Sequence, residues 1–120
     1  MNEVSKNFHT ASYNLEELNI YCSKRNSAKV IFIDSITYLT KDFEVVRALV
    51  KKYKNKIFVC SGHAEGKNPR TEFEKSVRYH SKMKVFVDGY VANNQGRTIG
   101  PNGGQYIIWK EGYQKLNGVA

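Results

Sequence analysis

Two short apolar runs on either side of an amphipathic stretch set the strongest limit on what this chain can fold into. Residues 28–34 read AKVIFID and residues 56–61 read KIFVCS, each ending in a polar side chain. Both fit short buried strands. Between them, DFEVVRALVKKYK places Phe43, Val46, Val50 and Tyr53 on one helical stripe. Lys51, Lys52 and Lys54 close its last turn, where cations favour the helix dipole. Strand, helix and strand in that order predict a βαβ unit with parallel strands, apolar faces on both sides and a right-handed crossover. The strand ends, Asp34–Ser35 and Ser61–Gly62–His63, then leave the sheet on one edge. Open α/β sheets bind their ligands on that edge.

The flanking segments extend the sketch. Residues 1–12 lack periodicity and are expected to form a flexible arm. In NLEELNIYCSKRN, Asn14 and Glu17 have the spacing of a capping box, and Leu15, Leu18 and Cys22 share one helical face. After the second strand, SGHAEGKNPR reads as a polar loop punctuated by glycine. A helix carrying Phe73 and Val77 then starts either at Asn68–Pro69 or at Thr71, with Glu74 three residues on. KMKVFVDGYVA alternates like a strand with unlike faces, NNQGRTIGPNGG is turn-rich, and QYIIW is a last strand antiparallel to the one before. The tail KEGYQKLNGVA is expected to be irregular. The sum is one α/β domain over residues 1–120: a small, mostly parallel sheet flanked by helices and closed by an antiparallel hairpin.

Composition narrows the partners. The chain has 120 residues, 41% of them hydrophobic and 12% aromatic, enough to fold around a core. Nineteen Lys and Arg against 11 Asp and Glu give a formal charge of +8, which favours a polyanion such as nucleic acid or nucleotide phosphates. Cys22 and Cys60 lie far apart and read as small core residues, and His9, His63 and His80 form no zinc pattern with them. MNEVSKNFHT has no signal-peptide core and no run approaches membrane-spanning length, so a cytoplasmic location without a membrane partner is expected.

Asp34 is the residue that asks for chemistry. A carboxylate at the end of a buried strand is costly unless a hydrogen-bond network or a metal holds it. Taken alone, it fits a turn cap or a magnesium contact. A hydrolytic Asp34–Ser35–His63 arrangement is disfavoured, because no GxSxG elbow is present and adjacent Asp and Ser make poor relay geometry.

The order of motifs resembles the core of RecA-like ATPases and hexameric replicative helicases, over Lys29 to Trp109. KVIFIDSITYL is similar to their Walker B segment, and IFVCSGHAEG to the next core strand, whose polar end senses the γ-phosphate. KSVRYHSKMKVFV is similar to a helix leading into another core strand. VANNQGRTIGPNGGQYIIW resembles the late hairpin that reaches a neighbouring subunit's nucleotide. The resemblance implies that Asp34 holds hydrated magnesium, that Ser35 supports the nucleotide site, that His63 senses the γ-phosphate and that Arg97 is an arginine finger.

One departure is large. The Walker A pattern GxxxxGK[ST] is missing; GHAEGKN, from Gly62 to Asn68, is one residue short between its glycines and lacks the Ser or Thr. The resemblance is therefore to the C-terminal half of a phage- or plasmid-type DNA-dependent ATPase, inactive in hydrolysis by itself. Mg2+ and ATP are expected as cofactors only where a P-loop half is supplied, and the expected partners are that half or further copies of the chain. In the family, loops after the second strand also contact single-stranded DNA, which implies a DNA role for Lys67, Arg70 and Arg78. The alternative is a non-enzymatic module that binds single-stranded nucleic acid or a helicase.

Overall fold

In the computed structural model, which describes residues 8–66, 68–96 and 103–118, β1 (Val30–Ile33) and β2 (Ile57–Cys60) pair in parallel. Their register sets Ile31 opposite Phe58 and Ile33 opposite Cys60. Helix α1 (Leu15–Ser23) precedes β1 and helix α2 (Phe43–Lys52) joins the strands. The chain divides into two compact units between Lys75 and Ser76, and this βαβ element lies in the first.

The local signals explain the helices. Asn14 accepts from the Glu17 backbone N–H at 2.8 Å while the Glu17 carboxylate accepts from the Asn14 N–H at 3.1 Å, so the capping box is complete. Leu18 and Cys22 from α1, Ile31 from β1 and Leu49 from α2 form the buried core, with Tyr21, Phe58 and Tyr53 packed against it. The α2 stripe is centred one residue earlier than expected. Val46 and Leu49 are buried, and Val50 faces out. Polar ties lock the element: Lys56 Nζ donates to Ala28 O at 2.6 Å, and the Ala28 N–H donates to the Tyr21 hydroxyl at 2.9 Å.

Within the first unit, helices cover only one face of the pair. Phe32 is 73% exposed and Ile57 62%, and Val30 and Val59 point the same way. The first unit's core gathers α1 and α2 with Ile31, on the opposite face. An apolar run states that a strand is buried somewhere, and not how many of its faces a helix covers.

The first unit ends in a small hairpin, β3 (Ala64–Glu65) against β4 (Asn68–Pro69), turning at Gly66 with φ +65°. The expected polar loop is thus partly ordered. Helix α3 (Glu72–His80) starts at Thr71 and not at Asn68–Pro69, which is already committed to β4.

In the second unit, β5 (Met83–Asp88), β6 (Val91–Gly96) and β7 (Gln105–Ile107) form an antiparallel sheet in that order. Among the described residues only β1–β2 is parallel, so the sheet content is not mostly parallel as expected. KMKVFVDGYVA is not one strand, because Gly89 (φ +57°) and Tyr90 (φ +65°) make a two-residue turn between Asp88 and Val91. Two successive positive φ values are the type I′ geometry that suits a twisted hairpin. The Tyr90 ring meets Trp109 edge-on, with centroids 5.0 Å apart, which offsets the cost of a left-handed non-glycine residue. The tail is not irregular either: Lys110–Leu116 is helix α4, with Glu111 in its first turn and Lys115 in its last. Glu111 and Lys115 follow the helix dipole, and Gly112 is buried where the Trp109 ring lies over the helix. No helix among the described residues is long and apolar enough to cross a membrane.

Candidate functional site

The strand ends Asp34 and Ser61 meet just past the last paired residues of β1 and β2. Ser61 is bonded four ways. Its N–H donates to Ile33 O at 3.0 Å and its carbonyl accepts from Ile36 N–H at 2.9 Å. Its hydroxyl accepts from Ser35 N–H at 2.7 Å and donates to Asp34 Oδ1 at 2.9 Å. The parallel ladder thereby continues past the strands as a serine bridge, and it fixes one oxygen of an exposed carboxylate.

Ser35 carries the strain of this turn. Its φ of 56° is left-handed, a conformation that costs a non-glycine residue about 1–2 kcal/mol. The bond to Ser61 and the burial of Ile36, 2% exposed, hold it there. Strain at a sheet edge next to an exposed carboxylate is the kind found at binding sites.

The second strand end is anchored from below by a residue the sequence did not single out. Glu74 is 4% exposed, the only buried charged side chain among the described residues. Its Oε2 accepts the His63 backbone N–H at 2.7 Å and its Oε1 accepts the Thr71 hydroxyl at 2.9 Å. Arg70 Nε stands 4.0 Å away. Burial alone would raise the Glu74 carboxyl, but these two hydrogen bonds and the nearby Arg70 and His63 charges hold it below its ordinary value. Thr71 also accepts the Glu74 N–H at 3.1 Å, so the helix start and the anchor are one arrangement. Gly62 packs close beside it, since an added Cβ would lie 2.8 Å from Glu74 Oε2.

His63 and Arg70 are tied together, with Arg70 N–H donating to His63 O at 3.0 Å. Across from them the 3₁₀ turn Ile36–Tyr38 follows β1. A cleft of about 390 Å³ opens between the two segments, with Thr37, Tyr38 and Lys41 on one side and His63, Arg70 and Phe73 on the other.

The expected site residues therefore fall into four groups. Asp34 and Ser35 are brought together through Ser61. His63 lines the cleft with Arg70 and makes no hydrogen bond to Asp34, so an Asp34–Ser35–His63 relay is not formed. Arg78 sits in the last turn of α3, within the second unit. Lys67 and Arg97 lie outside the described residues. In GHAEGKN, the string nearest to a phosphate loop, Ala64, Glu65 and Asn68 belong to the paired strands β3 and β4 and not to a loop leading into a helix. Among the described residues no cluster of three His, Cys, Asp or Glu side chains is placed to hold a metal.

Ser61 and Glu74 are the residues that sequence reasoning missed. A serine directly after an apolar strand was the available signal for the first. The Thr71–Glu74 spacing marked a helix start, and nothing in it marked burial. Set against family models, curated proteins and solved structures, the chain matches none.

Proposed function

We propose that this chain carries the Walker B and sensor half of a RecA-like nucleotide site, and that it hydrolyses ATP only with a P-loop half beside it. The observation that carries the reading is the Ser61 bridge, which holds the exposed Asp34 carboxylate at the carboxyl edge of two parallel strands. A single carboxylate of this kind fits magnesium as one contact to an ion that keeps its waters and its phosphates. The metal, when bound, neutralises charge on the phosphates. Asp34 orients that hydrated ion, Ser35 supports it through the strained turn, and His63 approaches the terminal phosphate from the second strand end. Arg97 serves a neighbouring subunit's nucleotide, so the working form is an oligomer. The phage- or plasmid-type DNA-dependent ATPase reading rests on the same motifs. The alternative, a non-enzymatic module for single-stranded nucleic acid, draws on Arg70 and the cleft and has no use for Asp34.

Calorimetric titration with Mg·ATP separates these readings. The expected result is weak binding with a magnesium-dependent part that Asp34→Asn abolishes. Tight binding by the chain alone would overturn the claim that half the site is missing. Binding that gains nothing from magnesium, or a magnesium-dependent part that survives Asp34→Asn, would overturn the role of Asp34.

A further inference from the structure

We infer that the cleft beside His63 is a second binding site, built for one nucleotide unit held by its phosphate and by its ring. Three side chains able to carry positive charge, Lys41, His63 and Arg70, converge on it from two separate segments of the first unit. The Thr37 hydroxyl adds a donor beside them, while the Thr71 hydroxyl is already committed to Glu74. Phosphate recognition calls for this combination of cations and donors. Glu74, the acid bonded to the second segment, is buried and occupied with the His63 N–H and Thr71, though it shares the charge of Arg70 at 4.0 Å.

Ring recognition comes from one aromatic on each side. Tyr38 is 87% exposed on the rim of the cleft, and Phe73 is half-buried in its wall. Exposed aromatics beside cations supply the stacking platform that nucleotide bases use. The volume of about 390 Å³ lies near the lower end of small-molecule sites, roughly 300–1,000 Å³, and admits one such unit.

The walls are already fixed. Ile36, buried and bonded to Ser61 O at 2.9 Å, anchors the turn that presents Thr37 and Tyr38. Glu74 and the His63–Arg70 backbone bond anchor the other side. Asp34 does not line the cleft, and Lys41 and Tyr38 take no part in the Asp34 reading. His63 is common to both readings, so variants of Lys41 and Tyr38 on one hand and of Asp34 on the other tell them apart.

The same chemistry is offered by a free nucleotide and by one residue of a single strand, so the test uses both. The full chain is titrated with 5′-AMP, inorganic phosphate and a short single-stranded oligonucleotide, and backbone amide shifts locate the site. AMP should shift the amides of Tyr38, Lys41, His63 and Arg70. Tyr38→Ala should weaken AMP about tenfold, as loss of one stacked base does, without changing phosphate binding. Lys41→Glu should weaken all three probes. Both side chains are exposed, so the variants should keep the wild-type amide spectrum.

An oligonucleotide that binds more tightly than AMP, with a log–log salt slope of about −0.7 per phosphate contacted, assigns the unit to a strand. Equal affinity assigns it to a free nucleotide. The site is overturned if no probe binds saturably, or if both variants bind like wild type. Loss of AMP binding in Asp34→Asn while Lys41→Glu is silent also overturns it, by placing the ligand at the sheet edge. Phosphate binding as tight as AMP overturns the part played by the ring.

Discussion

Replacing Glu74 by glutamine tests the anchor beneath the second strand end. The carboxylate accepts the His63 N–H at 2.7 Å and the Thr71 hydroxyl at 2.9 Å. Hydrogen bonds to a charged group contribute about 1.5–3 kcal/mol each, against about 0.5–1.5 for neutral pairs. Glutamine can keep both contacts, its carbonyl accepting from His63 and its amide donating to Thr71, so the loss is about 1 kcal/mol per bond. The half-exposed Arg70 pair at 4.0 Å adds at most a fraction of 1 kcal/mol, roughly the worth of a surface ion pair. Relief from burying a charge works the other way. The net expectation is about 1–2 kcal/mol, a 5–30-fold rise in local opening. Glu74→Leu leaves both donors bare and should cost about 3–5 kcal/mol.

Residue-resolved amide hydrogen exchange reads this directly at His63, Ser61 and Ile36, whose N–H groups are bonded at the site. The pH dependence supplies a second reading. Because the folded carboxyl titrates below its ordinary value, its stabilisation is fully present above the unfolded value near about 4.3 and is lost as pH falls through the folded one. The gap between wild type and Glu74→Gln should therefore be constant near neutrality and close under acid. Equal protection at neutral pH, or a gap unchanged by acid, would refute the anchor.

Three further substitutions probe the surroundings. Gly62→Ala places a Cβ 2.8 Å from Glu74 Oε2, and because that carboxylate is pinned, overpacking should cost about 1–3 kcal/mol in urea unfolding. Gly112→Ala would overlap the Trp109 ring and push it from its place; since Trp109 is the one tryptophan, its emission should shift with the fall in stability. Asn14→Ala removes one arm of the capping box and should cost about 1 kcal/mol, seen as faster exchange of the Glu17 amide.

How far the sequence could be read follows from where its signals were local. Asn14 and Glu17 satisfy each other within one turn, so their pattern was sufficient. β1, α2 and β2 were legible because strand runs and a helical stripe differ in period. The second unit was less so. Alternation of Met83, Val85 and Val87 continues smoothly into Gly89–Tyr90, and only the two positive φ values show that the chain reverses there. Helix α4 was hidden because its buried position is a glycine under Trp109, which carries no hydrophobic stripe. At the site, Asp34 was visible as a charge ending an apolar run. Ser61 and Glu74 were not, because their roles depend on partners 27 and 11 residues away along the chain.

The central claim is that Asp34 faces a phosphate-bound divalent ion at the edge of the parallel pair. Mn2+·ATP, added in small amounts to the labelled chain, tests it through paramagnetic broadening of backbone amides. The account predicts selective broadening at Asp34, Ser35 and Ser61 that disappears in Asp34→Asn. Broadening that spares these amides, or that persists unchanged in Asp34→Asn, would contradict it.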